Sequence, residues 1–156
     1  MSLSIDETDL AILIQLQPNA GMSNTDLAKK IGMAPSAVLE RVKKLRQKGV
    51  IDAFVTRIRP EALELKLLAF VFVKSSEGPG NLSVAKQLAK LPEVLELHHI
   101  AGEDCYLVKI RAKDPQALAQ LMRDKFSKIT GLLSTKTTIV LETLKETNYL
   151  PIPHKP

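Results

Sequence analysis

Hydroxyl, carboxylate and cationic side chains gathered between Ser23 and Lys48 offer chemistry suited to a polyanion. Ser23, Thr25, Ser36 and Glu40 supply hydrogen-bond donors and acceptors, Arg41 and Lys44 supply positive charge, and Ala37 supplies a small apolar contact. Such groups hold phosphates, and those near the start of a helix meet base edges. Arg57 and Arg59 follow at alternate positions and add two candidate phosphate contacts. Residues 22–59 hold nine Lys or Arg against three Asp or Glu, whereas residues 1–21 hold three acids and no base. The excess of the whole chain, net +5, therefore sits in this stretch. A polyanionic partner is the direct inference. A solvated charged face is the other reading, and charge alone does not separate the two.

A second group, His98-His99 with Glu103, Asp104 and Cys105, has the residue types of a metal site. Adjacent residues of a strand point to opposite faces, so both histidines do not easily reach one ion. Zinc ligands also usually come as closely spaced pairs from two places. A nucleophilic Cys105 needs a base and an electropositive pocket. The sequence has no Gly-rich phosphate loop and no Gly-x-Ser-x-Gly elbow. The expectation is a protein that is not an enzyme, with no metal and no cofactor.

The basic stretch needs a scaffold, and its punctuation predicts one. Ser4-Ile-Asp-Glu7 has capping-box spacing, with Asp6 as an alternative N-cap. A helix runs from there to about Leu16, with Leu10, Leu13 and Ile14 on one stripe and Ile12 and Leu16 on another. A helix apolar on two sides must be covered on two sides, and a second subunit is one possible cover. Ser23 caps the next helix, in which Leu27, Ala28 and Ile31 face inward. Gly32 supplies a left-handed turn and Pro35 a helix start. Val38, Val42 and Leu45, with Leu39 beside them, form the buried stripe of a third helix. The outer face carries Ser36, Ala37, Glu40 and Lys44, flanked by Arg41, Lys43 and Lys48. This is a helix-turn-helix whose recognition helix has the dimensions to enter the major groove of double-stranded DNA, with Val50–Arg59 as a wing or linker strand.

The remainder reads as β-α-β-β-α-β. Strands are expected at Leu67–Lys74, Val94–Ala101, Tyr106–Ile110 and Thr135–Lys145, and helices around Leu82–Leu91 and from Asp114-Pro115 to Gly131. The expected fold class is α+β: an N-terminal helix-turn-helix, winged-helix-like, followed by a ferredoxin-like βαββαβ module. The corresponding domains are 1–50, a linker strand 51–60, a sensing and oligomerisation domain 61–148, and a tail 149–156 expected as a free terminus. Phe70, Phe72 and the Ile139/Leu141 strand would leave an open apolar sheet face, which predicts a homodimer. One cysteine excludes an intramolecular disulfide, and neither a signal peptide nor a membrane span is evident. A cytoplasmic protein without a membrane partner is expected.

The assembled pattern resembles the Lrp/AsnC family of feast/famine transcriptional regulators over nearly the whole chain. The matching pieces are Ile5-Asp6, Asp9, Ile12-Leu13 and Leu16-Gln17, then Leu27-Ala28 and Ile31-Gly32-Met33. Ser36, Val38, Arg41-Val42, Leu45, Gly49-Val50-Ile51 and Ala101-Gly102-Glu103-Asp104-Cys105-Tyr106-Leu107 continue it. The resemblance implies a DNA-binding domain, a dimerising sensor module, assembly of dimers to octamers or higher forms, and an amino acid bound between dimers, with a Gly-x-x-Asp turn at the ligand site. On this chain that turn is Gly102-Glu103-Asp104-Cys105, with Gly-x-Asp spacing. Backbone N–H groups there would take a carboxylate and Asp104 an ammonium. His99, Gly102, Glu103, Asp104, Thr135 and Thr137 are the effector-site candidates. Three positions depart from the pattern: Ala34 replaces a cap serine, Gly21-Met22 replaces an arginine in the first loop, and Glu64-Leu65-Lys66 stands where a glycine precedes the first sensor strand. The rival readings are a ferredoxin-like ligand-binding protein or enzyme without DNA binding, and an architectural DNA-compacting protein.

Overall fold

The structure, a computed structural model, describes residues 5–78 and 80–153. Ser4, one of the two candidate caps, lies outside them. The chain divides into two compact units, one comprising residues up to Arg57 together with Lys145 onward, the other Ile58–Leu144.

In the first unit α1 spans Glu7–Leu16, α2 Asn24–Ile31 and α3 Pro35–Gln47. Local chemistry explains each boundary. The Asp6 carboxylate accepts from the Asp9 N–H, while the Asp9 carboxylate accepts from the Asp6 N–H, closing a reciprocal cap on α1. Ser23 Oγ accepts from the Asp26 N–H and donates to its carboxylate. Gly32, at φ 71°, ends α2 in the left-handed region, where a side chain would be strained. Pro35 opens α3 in a position that needs no amide.

Ile12, Leu16, Leu27, Ala28, Val38 and Leu45 form the core of this unit. Leu10, Leu13 and Ile14 are half-buried. Leu39, expected in the buried stripe, is 50% exposed instead. The seam of α3 is filled by Val38, Val42 and Leu45, and Leu39 is turned about 100° from Val38, past the edge of that seam. The expected linker strand also differs: Asp52–Arg59 is exposed and pairs with no strand among the described residues, so its alternating pattern has neither a partner strand nor a face to bury. The tail was expected to be free, yet Leu150 makes two hydrogen bonds with the Gln17 side chain.

The second unit is a four-stranded antiparallel sheet with helices on one face. Its strands are β1 (Leu67–Ser75), β2 (Val94–His99), β3 (Tyr106–Ala112) and β4 (Leu132–Ile139), in the order β2-β3-β1-β4. The helices are α4 (Ser83–Leu88) and α5 (Pro115–Asp124). Alternation sorts the sheet. Ala69, Val71 and Val73 with Tyr106, Val108 and Ile110 point to the helices and pack against Val84, Leu88, Leu118, Leu121 and Phe126.

Phe70 and Phe72 point the other way, with Leu107 opposite Phe72. Lys136 Nζ lies 5.7 Å from the Phe72 ring centre. Two expectations shift here. Ile139 pairs with Ala69, so it belongs to the helix-side register rather than to the open face, and Leu141 lies beyond the strand, fully exposed. β4 begins and ends earlier than expected because its partner β1 sets its length: Leu132 pairs with Ser75 and Ile139 with Ala69.

Candidate functional site

α3 is the element built to meet a partner. Its thirteen residues make a rod roughly 20 Å long, and a helix of ordinary width matches the major groove. Val38 and Leu45 are sealed in the core, so the opposite side faces solvent. Ser36, Glu40, Lys43 and Lys44 are exposed there, Ala37 is half-buried, and Thr25 is exposed on α2. The N-cap, Ala34, makes no side-chain hydrogen bond, so the first-turn amides of α3 are not capped from there. These amides carry the positive end of the helix dipole, which suits a phosphate.

Three candidates have other duties. Ser23 spends its hydroxyl capping α2, although it is exposed. Arg41, expected to reach guanine or phosphate, instead places Nη1 2.6 Å from Asp6 Oδ2 and 2.9 Å from Asp9 Oδ1. One nitrogen thus ties α3 to both members of the α1 cap. The Arg41 hydrogen bond holds the exposed Asp6 carboxyl below its ordinary value, and the two carboxylates raise the guanidinium. Arg57 donates from Nη2 to the Glu146 carbonyl at 3.0 Å, with the Glu146 carboxylate 3.7 Å away. Two of the four cations chosen as DNA contacts are therefore engaged within the chain, whereas Lys44 and Arg59 are exposed.

Cations that were not chosen stand in the open. Lys29 and Lys30 are exposed on the last turn of α2, and Lys43 and Arg46 on α3. Arg46 stacks over Phe54, 5.7 Å from the ring centre, beside a surface groove of about 640 Å³ floored by Leu16, Met22, Val42 and Ile51. Helical spacing places Lys43 and Arg46 one turn apart and could have flagged that pair.

The turn between β2 and β3 is the second candidate site. The Ile100 N–H donates to the Cys105 carbonyl, and the Cys105 N–H donates to the Val73 carbonyl at 2.8 Å. Gly102 has φ 132°, a backbone state that excludes most side chains, and a Cβ built on it would meet open space. Conformation rather than crowding thus selects glycine. Glu103 is exposed, Asp104 half-buried, and the His99 ring centre lies 5.3 Å from that of Tyr106.

Thr135 and Thr137 do not join this cluster within one chain. His99, Tyr106, Val73 and Thr135 form one row across the sheet, with His99 and Thr135 at opposite edges. Three inter-strand steps separate them by roughly 14 Å. Beside the turn the structure places a residue that had not been singled out, Glu77. Its Oε1 accepts from the Val84 N–H at the start of α4, and its Oε2 accepts from the Tyr106 hydroxyl. Burial, then Glu77, raises the Tyr106 phenol above its ordinary value. A lone glutamate in Ser-Ser-Glu-Gly carries no periodic signal, so only the fold reveals this role. Among the described residues no group of three or more His, Cys, Asp or Glu could hold a metal, and no helix is long and apolar enough to cross a membrane.

Comparison with known proteins gives one consistent result. A family model described as winged helix-turn-helix DNA-binding matches residues 5–52, and one described as the Lrp/AsnC ligand binding domain matches residues 68–150. The HTH-type transcriptional regulator FL11 of Pyrococcus horikoshii is 40% identical over 97% of this chain and 99% of its own. The leucine-responsive regulatory protein of Haemophilus influenzae is 34% identical over 94% of this chain and 90% of its own. Among solved structures, a transcriptional regulator of Neisseria meningitidis in complex with L-methionine superposes with a TM-score of 0.89 at 30% identity, covering 95% of this chain and 97% of that one. Escherichia coli AsnC superposes at 0.87 with 28% identity, over 95% and 99% of the two chains. With both domains matched in order and nearly the full length covered, the chain belongs to the Lrp/AsnC family of transcriptional regulators.

Proposed function

We propose that this protein binds duplex DNA through α3 as a homodimer and that an amino acid at the Gly102–Asp104 turn adjusts its assembly or its DNA affinity. The observation that carries the DNA half is the solvent-facing side of α3, where Ser36, Glu40, Lys43 and Lys44 are exposed opposite the sealed Val38 and Leu45. Ser36, Ala37 and Glu40 serve as the base-edge readers. Lys44, joined by Lys43, Lys29 and Lys30, serves as the phosphate set, and Ser23 and Thr25 flank it. Arg41 is assigned to holding α3 on α1, and Arg57 to holding the segment around Glu146.

The ligand half rests on a turn with a glycine-only conformation, a half-buried carboxylate and backbone groups, the pair of poles a zwitterion requires. The structurally similar Neisseria regulator was solved with L-methionine, which makes that amino acid the first probe. Thr135 and Thr137 are assigned to such a site only if a neighbouring copy brings them there. The sheet face bearing Phe70, Phe72 and Leu107 is the surface assigned to dimerisation, with octamers built from dimers. A regulator of this kind works in the cytoplasm and has no catalytic step.

The test is titration of random and selected duplexes at two salt concentrations, with and without L-methionine, followed by light scattering on the same samples. Salt-sensitive binding, with a selected sequence preferred over random DNA, is expected. Absence of duplex binding even at low salt overturns the reading.

A further inference from the structure

Gln17, the C-cap of α1, turns its side-chain amide toward the end of the chain. Its Nε2 donates to the Leu150 carbonyl at 3.0 Å, and the Leu150 N–H donates to its Oε1 at 2.7 Å. The pair has the form of one rung of an antiparallel ladder, with a glutamine side chain standing in for the second strand. Sequence prepares Leu150 for this. Pro151 biases the residue before it to extended backbone, in which one residue's N–H and C=O point the same way. Pro151 and Pro153 offer no N–H of their own, so Leu150 is the natural rung.

The chain passes between its two units twice, at Arg57/Ile58 and at Leu144/Lys145. Each unit ties the two passages together on its own side. In the helical unit, Arg57 bonds the Glu146 carbonyl. In the sheet unit, the Val140 N–H donates to the Leu68 carbonyl at 2.9 Å, joining the start of β1 to the exit of β4.

We propose that Gln17 is a receptor for the chain's own C-terminal segment and a positioning residue for DNA binding. It pins the returning chain to α1, so that residues 145–150 are held at two points of the helix-turn-helix unit, Arg57 and Gln17. A helix-turn-helix whose α1 carries an ordered segment loses less freedom on binding a duplex than one that must order that segment as it binds. The consequence for DNA rests on the function proposed above; the docking itself does not.

Four proteins test it: the natural chain, Gln17→Leu, a chain ending at Asn148, and the double variant. Amide exchange reads docking directly. The Leu150 amide is expected to exchange about tenfold more slowly in the natural chain than in Gln17→Leu. Affinity for a random-sequence duplex is expected to fall about three- to tenfold in each single variant, and no further in the double variant, since both remove the same link. A merely structural role for Gln17 in α1 would keep its effect in the shortened chain. Equal Leu150 exchange in the two proteins, or additive losses in the double variant, overturns the proposal. If the natural chain binds no duplex, the regulator reading fails, and the exchange result alone decides whether Gln17 holds the tail.

Discussion

Replacing Arg41 by alanine separates a residue that touches DNA from one that holds the reading helix in place. In the structure the guanidinium makes its bonds inward, to Asp6 at 2.6 Å and Asp9 at 2.9 Å. Asp9 is the part that matters energetically, because its residue is only 8% exposed and its carboxylate loses a charged donor. A charge-assisted hydrogen bond of that kind contributes about 1.5–3 kcal/mol. One third of the Arg41 side chain is open to solvent, which screens the pair and brings the expected loss to about 1–2 kcal/mol. For a unit of this size that corresponds to a melting temperature lower by roughly 5–12 °C.

Arg41→Lys should recover much of the loss, since a single nitrogen serves both acids and the planar fork of arginine is not used. The pH dependence has a fixed sign. The folded Asp6 carboxyl sits below its ordinary value of 3.8, so its contribution is present above that pH and is lost as pH falls through the folded value. The natural chain and Arg41→Ala should therefore converge in stability in strong acid. The assay is calorimetry of both proteins from neutral pH into acid, with duplex titrations below the melting range. Unchanged stability together with a shallower salt dependence of DNA binding would refute the reasoning and return Arg41 to the phosphate contacts.

Lys44→Ala should do the reverse, leaving the melting temperature within a degree or two while lowering the slope of log affinity against log salt by about 0.9; an unchanged slope removes Lys44 from the phosphate set. Asp104→Ala should abolish the response to L-methionine while leaving dimerisation intact, as read by calorimetric titration and light scattering; a full response in that variant takes Asp104 out of the site. Phe72→Glu places a carboxylate on the open sheet face and should shift the protein toward monomers in light scattering, whereas an unaltered oligomer would move the interface elsewhere.

The parts of this molecule that were legible in sequence are those whose causes lie within a turn or two of chain. Ser23 caps α2, Gly32 turns, and Pro35 opens α3, each through atoms a few residues away. β1 and β3 declare themselves because their alternation is buried on one side, Val71 and Val73 against Val108 and Tyr106. What sequence hid is what distance decides. Arg41 meets Asp6 and Asp9 across more than thirty residues, and Gln17 meets Leu150 across 133. The ends of β4 follow from its partner, and the edge position of Thr135 follows from strand order; neither is written in a local pattern.

The same distinction changes how the basic stretch acts. Counting charges along residues 22–59 treats every cation as available, yet Arg41 is matched by two acids and Arg57 faces Glu146. On α2 and α3 the exposed cations are Lys29, Lys30, Lys43, Lys44 and Arg46. Lys43 and Lys44 continue the polar row of Ser36 and Glu40 toward the C-terminal end of α3, one turn further on. An arrangement of that kind draws a duplex in through its phosphates and leaves discrimination among bases to short, mostly uncharged side chains. Affinity and selectivity should then respond to different substitutions. Losing a lysine should weaken all duplexes alike, whereas changing Ser36 or Glu40 should alter the ranking of sequences with little effect on the salt slope.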